Sequence, residues 1–143
     1  MKSKTKITRS QRTYRDRLLF LADFLMSLPK EKFDYNIYMI DTECGTVACA
    51  LGWAATLPKF NRLGLSVEKR AYGYELKDNL TGSVGASAAA RIFGLALDEV
   101  HFLFHPLMST CDDDENEGRL GPGATAKEVA EHIRSFVKGK FPT

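Results

Sequence analysis

Two pairs of residues in this chain have the types and spacing to do chemistry. Cys44 and Cys49 stand in the segment Cys44-Gly45-Thr46-Val47-Ala48-Cys49-Ala50-Leu51-Gly52-Trp53, and His101 and His105 are four residues apart. Thiolate and imidazole are the ligand types of a structural zinc site, and histidines at i and i+4 share one helix face. Cys44, Cys49, His101 and His105 are therefore the candidate metal ligands. Against a metal, Cys49 falls one turn inside an expected helix, and the two pairs lie much further apart than in a zinc finger. The expectation is no cofactor, with zinc as the alternative. Cys44 is also the candidate reactive thiol. It precedes Thr46, an expected helix cap, where free N–H groups and the positive end of the helix dipole lower a thiol pKa. A catalytic cysteine needs a base as well, and no local signature sets His101, His105 or His132 beside it. No catalytic residue is assigned. Cys49, on an apolar stretch, is expected to pack.

Charge marks two further segments. Residues 1–17 carry seven basic side chains (Lys2, Lys4, Lys6, Arg9, Arg12, Arg15 and Arg17) against Asp16, within a chain whose net charge is only +2. Such an end suits a phosphate backbone or an acidic protein, or is simply a solvated helix face. The run Asp112-Asp113-Asp114-Glu115-Asn116-Glu117 begins like a calcium loop. It fails as one, because Glu117 stands where glycine is required and Gly123 where the closing bidentate glutamate belongs. It is read as a solvated loop or a contact surface for a basic partner. The candidate partner-binding residues are thus Arg9, Arg12, Arg15, Asp112, Asp113, Asp114, Glu115 and Glu117.

The elements that must position these residues follow from capping and periodicity. Thr8 or Ser10 caps a first helix with Tyr14, Leu18, Leu21, Ala22, Leu25 and Met26 on one face, and Pro29 stops it. The aromatic stretch 33–40 favours extended structure. Thr46 is expected to cap a helix to Leu57 before Pro58; apolar nearly all round, it would be central and buried, with Gly52 admitting a neighbouring helix. Residues 71–76 suggest a short strand. A third helix ends at Gly94, a fourth spans Leu97 to Phe104, and Thr125 with Glu128 forms a capping box for the last. Ala90, Gly94-Leu95, Val100 and Leu103 match a helix-turn-helix hairpin over 86–104, but Asp98 and Glu99 on its second helix would repel phosphates.

The fold expected is mainly α, an α-rich α+β arrangement of about five helices around the central apolar helix 46–57, with one or two short extended segments. The 143 residues suit a single domain, with 1–12 as a basic, partly flexible N-terminal arm. No apolar run approaches the ~18 residues of a membrane span, and the basic start lacks the apolar stretch and cleavage site of a secretory signal. Three cysteines do not suggest a disulfide framework, so a reducing cytoplasm is expected, in a bacterial or phage-infected cell. P-loop, GxGxxG and GxSxG patterns are absent from the sequence.

Taken together, Phe33-Asp34, Cys44-Gly45-Thr46-x-x-Cys49-x-x-Gly52, Ala89-Ala90-Arg91-x-Phe93-Gly94-Leu95, Leu103-Phe104-x-Pro106 and Thr125-x-x-x-Val129-Ala130 resemble a family of small uncharacterised phage, prophage and bacterial proteins. The resemblance covers roughly residues 33–137. Members often carry His-Ala after the glycine, where this chain has Trp53-Ala54. The resemblance implies a mobile-element setting and a compact α-rich domain, and it transfers no activity. The expected function is a non-enzymatic accessory protein that binds a protein partner, with modulation of host defence as one outcome. The alternative is a nucleic-acid-binding regulator using the basic arm and the 86–104 hairpin. The third is a small thiol- or zinc-dependent protein centred on Cys44.

Overall fold

Helix α1 (Arg9–Ser27) starts where its first turn is satisfied by side chains. The Thr8 hydroxyl accepts from the Gln11 N–H at 3.1 Å, and the Gln11 side-chain carbonyl accepts from the Thr8 N–H at 2.7 Å. This reciprocal box serves donors that the helix cannot pair internally. Leu18, Leu21, Ala22 and Leu25 are buried at helical spacing, whereas Met26, expected on the same face, is 40% exposed. The structure, a computed structural model, describes residues 7–42, 45–71, 73–105, 120–121 and 123–141.

The expected central helix over 46–57 does not form. Gly45–Val47 is instead a strand, β2, paired antiparallel with β1 (Ile40–Thr42), Ile40 opposite Val47. Helix α2 covers only Ala50–Ala54, with Cys49 rather than Thr46 at its N-cap, and a separate helix α3 (Pro58–Asn61) follows. The cause is a set of backbone partners supplied from residues 32–37. Ala48 N–H donates to Lys32 O at 3.2 Å, Asp34 N–H to Ala48 O at 3.1 Å, and Cys49 N–H to Ile37 O at 2.9 Å. These hold Ala48 extended and delay the helix by one turn. A short apolar run serves a buried strand or a buried helix equally well, so periodicity alone does not separate them. Gly52 does admit close approach, but of a chain segment rather than a helix: a Cβ there would lie 1.6 Å from the carbonyl oxygen of Tyr38.

A second hairpin, β3 (Leu65–Arg70) and β4 (Gly73–Asp78), was expected only in its second strand. Charges on β3 obscure its alternation. They are explained by its partner: Glu68 faces Glu75 directly, and Arg70 and Lys77 bridge the like charges with ion pairs of 3.1 Å to Glu75 and Glu68. Helices α4 (Ala86–Phe93), α5 (Leu97–Phe104) and α6 (Ala126–Lys140) complete the described chain. Gly94 ends α4 with φ at 63°, Glu99 caps the Ala96 N–H at 2.9 Å, and Thr125 with Glu128 caps α6. Among the described residues there are six α-helices and two two-stranded antiparallel sheets. The fold is therefore α+β, and the mainly α expectation built around helix 46–57 is corrected.

The core lies where α1 packs along α6 and across α4, with α5 behind. Phe93 stands between Phe60 and Phe104, with ring centroids 5.3 and 5.6 Å away. The β3–β4 hairpin is fastened to α4 through Asp78, the buried charged residue of the core. Its carboxylate receives Arg91 Nε and Nη2, Thr81 Oγ1 at 2.8 Å and the Leu80 N–H at 3.0 Å, and Arg91 also donates to Leu63 O. Burial alone would raise the Asp78 carboxyl. The hydrogen bonds from Arg91, Thr81 and Leu80, with the guanidinium charge, outweigh burial and hold it below the ordinary carboxylate value. Helix α1 meets the end of α4 in a second fastening. Arg17 donates to Ile92 O at 2.7 Å, and the Tyr14 ring lies so close to Gly94 that a Cβ there would sit 2.3 Å from it.

Two outcomes follow for stability. Asp78→Asn leaves Arg91 poorly matched in a buried site and is expected to destabilise the fold by about 3 kcal/mol at neutral pH in chemical denaturation. Because the folded carboxyl is depressed, its contribution is fully present above the unfolded value near ~4 and is lost as pH falls through the folded value. The variant should therefore show a flatter loss of stability on acidification than the wild type. Gly94→Ala combines a left-handed backbone with a clash against Tyr14 and should cost about 2–4 kcal/mol, read as a lower thermal midpoint.

Candidate functional site

The antiparallel contact of α1 with α6 leaves an open groove of about 640 Å³. Half-buried Leu19, above the core residues Val137 and Phe141 (5% and 3% exposed), gives it an apolar floor, and Arg15, Asp16, Arg134 and Lys138 complete the lining. The two helices place these groups by simple spacing. Arg15, Asp16 and Leu19 occupy consecutive turns of one α1 face, and Arg134, Val137, Lys138 and Phe141 do the same along α6. Arg15 pairs with Asp16 at 3.1 Å and Arg134 with Asp23 at 2.6 Å. Lys138 has no ion pair among the described residues, and it leaves the groove with cationic excess. Arg12, exposed one turn before Arg15 and Asp16, extends the same α1 face, with Arg9 at its edge.

Of the residues singled out from the sequence for partner binding, Arg15 lines this groove, and Arg9 and Arg12 are exposed beside its open end. Arg17 from the same basic stretch serves the fold through Ile92 O. Asp112, Asp113, Asp114, Glu115 and Glu117 lie outside the described residues. Sequence reasoning missed the α6 half of the groove. The signal is Arg134 and Lys138 at i and i+4 beside Val137, on the flank of the buried α6 stripe.

The metal candidates are divided. Cys44 lies outside the described residues. Cys49 is buried and lines a small cavity of about 150 Å³ together with Tyr35, Tyr38, Phe104 and His105. Burial pushes the Cys49 thiol up to about 11, against the opposing N–H groups of Gly52 and Leu51 at the start of α2. Burial also raises the Tyr38 phenol to about 12, helped by Cys49 and Glu75 nearby. Thiol and phenol are both protonated at neutral pH, which is the wrong form of cysteine for attack or ligation. Tyr35 Oη is used structurally, donating to Leu103 O at 2.9 Å. His101 and His105 do come together, with Nδ1 atoms 2.7 Å apart at the end of α5. Among the described residues, no three His, Cys, Asp or Glu groups converge on one point.

The α4–α5 hairpin proposed for 86–104 is present. Asp98 and Glu99 stand in the first turn of α5, and Glu99 takes Lys140 at 2.8 Å. Trp53 donates Nε1–H to Lys32 O at 2.8 Å and so braces α2 against the chain before β1.

Peptide mapping after brief iodoacetamide treatment at pH 8 should leave Cys49 unmodified in the folded protein and label it fully in denaturant. Rapid labelling of Cys49 in the folded state would contradict a buried, protonated thiol. Comparison of the chain with protein-family models, curated proteins and solved structures finds no match, so the groove and its chemistry carry the functional reading.

Proposed function

We propose that this is a non-enzymatic accessory protein that binds an acidic, amphipathic segment of a protein partner in the α1–α6 groove. The observation that carries the reading is the pairing of an apolar floor, accessible chiefly at Leu19, with the cations Arg15, Arg134 and Lys138 and the exposed Arg12 and Arg9 on the same α1 face. An amphipathic helix or strand with acidic flanks matches both parts, and charged rims of this kind steer association. Phosphate backbones would use the charge but not the floor. The negative groups at the start of α5 also count against the 86–104 hairpin as a nucleic-acid reader, since like charges repel there. The resemblance of the sequence motifs to small phage and prophage proteins supports a mobile-element or infected-cell setting for this role, with modulation of host defence as one outcome.

The test is paired affinity capture from host and phage-infected lysates with wild type and with Arg15→Glu/Lys138→Glu, both shown folded by circular dichroism. A protein retained by the wild type and lost with the variant is then purified. Its affinity should fall at least about tenfold with Lys138→Glu alone, or ~1.4 kcal/mol. Its binding should also weaken with salt. If wild type and variant retain the same proteins equally, the groove is not the recognition surface. Duplex DNA bound by the wild type with a steep salt dependence, and lost on Arg9/Arg12→Glu, would favour the nucleic-acid alternative instead.

A further inference from the structure

The last turn of α5 brings two imidazoles together outside the groove. His101 is exposed and His105, the C-cap, is half-buried. Their Nδ1 atoms approach to 2.7 Å, and their ring planes are inclined by 46°. Such a contact needs one proton between two nitrogens, so at least one Nδ1 lone pair points at its neighbour. The His105 ring is held from behind by Tyr38, edge-on with centroids 6.3 Å apart, and the His105 N–H is tied to His101 O at 3.2 Å. The pair also sits at the carbonyl end of a helix, where partial negative charge favours a cation.

We propose that His101 and His105 form a two-nitrogen chelating site for a divalent ion that prefers a tetragonal or square-planar shell, Cu²⁺ or Ni²⁺. The separation decides the class of ion. Metal–imidazole bonds are about 2.0–2.1 Å, so ligands meeting at a right angle stand about 2.9 Å apart, and tetrahedral ligands about 3.3 Å apart. From 2.7 Å the first arrangement needs the nitrogens to part by about 0.2 Å and the second by about 0.6 Å. Imidazole with right-angle geometry suits Cu²⁺ and Ni²⁺, whereas Zn²⁺ in protein sites is commonly tetrahedral. Coordination through both Nδ1 atoms requires both rings to carry their proton on Nε2, so the ring that donates in the free pair changes tautomer by exchange with solvent and no net proton leaves the neutral pair. His101 faces water, which supplies the remaining ligands. Cys49 lines the neighbouring cavity with His105 but is buried in the core, whereas His101 is exposed. The site differs from the expected zinc set in ligands, geometry and ion.

The test is calorimetric titration of untagged protein with Ni²⁺, Cu²⁺ and Zn²⁺ separately, in a Cys44→Ser/Cys111→Ser background so that other thiols do not compete. One ion per chain is expected, with Cu²⁺ tighter than Ni²⁺ and Ni²⁺ tighter than Zn²⁺. His101→Ala, an exposed change, should weaken Ni²⁺ and Cu²⁺ at least about tenfold, since losing a direct ligand exceeds the loss of an outer-shell partner. His105→Gln, verified folded by its thermal midpoint, should do the same, and His132→Ala should change nothing. The Cu²⁺ electron paramagnetic resonance spectrum should show coupling to two imidazole nitrogens in the parent and one in His101→Ala. Unchanged affinity in His101→Ala, a single-nitrogen spectrum in the parent, or Zn²⁺ binding as tightly as Cu²⁺ would each overturn the proposal.

Discussion

Asp78 is the constraint from which the rest of the arrangement follows. A carboxylate withdrawn from water must be matched by charge and by hydrogen bonds, or its burial is severely unfavourable. The match draws three parts of the chain to one point: the end of β4 with its turn, the Leu63 carbonyl before β3, and Arg91 on α4. Gly64 is part of the same fit, since a Cβ there would stand 3.0 Å from Asp78 Oδ1. With α4 held against the hairpin, its far end presents Gly94 and Ile92 O to α1. Tyr14 and Arg17 then set the line of α1 along which α6 packs. The groove is a consequence of that line and not a separate feature.

The distribution of charge about the two groove helices is uneven in a way that supports an external anionic partner. On α6, Lys138 and Lys140 lie in the last turn, where they complement the helix's own dipole. On α1 there is no acidic residue in the first turn, and Arg9 and Arg12 stand at the positive end. Intramolecular electrostatics does not account for cations there. The ion pairs Arg15–Asp16 and Arg134–Asp23 are partly or well exposed and contribute little to stability, so they are free to exchange for a partner's carboxylates.

The residues with the most reactive chemistry illustrate how burial decides function. Cys49 and Tyr38 share one small cavity, and desolvation keeps both in their neutral forms. The histidines lie at the open end of the same region, where ring nitrogens meet at the protein surface. Residue types suggested a joint cysteine–histidine site. Depth in the structure assigns Cys49 to packing and leaves the imidazoles to any ligand chemistry.

Much of the helical framework was legible in the residues themselves. A cap at Thr8 or Ser10, of which Thr8 is the one used, Thr125 with Glu128, Pro29 after α1 and Gly94 after α4 act within one or two turns, so their effect does not depend on the rest of the chain. Arg15 was legible as a surface cation for the same reason. The segment 46–57 was not legible, because its state is chosen by backbone partners at residues 32–37 and by Ile40 opposite Val47. Strand β3 was hidden because its charges interrupt the alternation and are balanced by pairs across the hairpin as well as by Arg70 with Glu68 on the same strand. The groove needed both α1 and α6 in place, and the convergence of the His101 and His105 Nδ1 atoms needed the last turn of α5 and the Tyr38 ring behind it. Capping and helix termination are local and travel with the sequence. Strand pairing, burial of a thiol and the meeting of two helices arise from contacts between distant residues, and only the tertiary structure brings those into being.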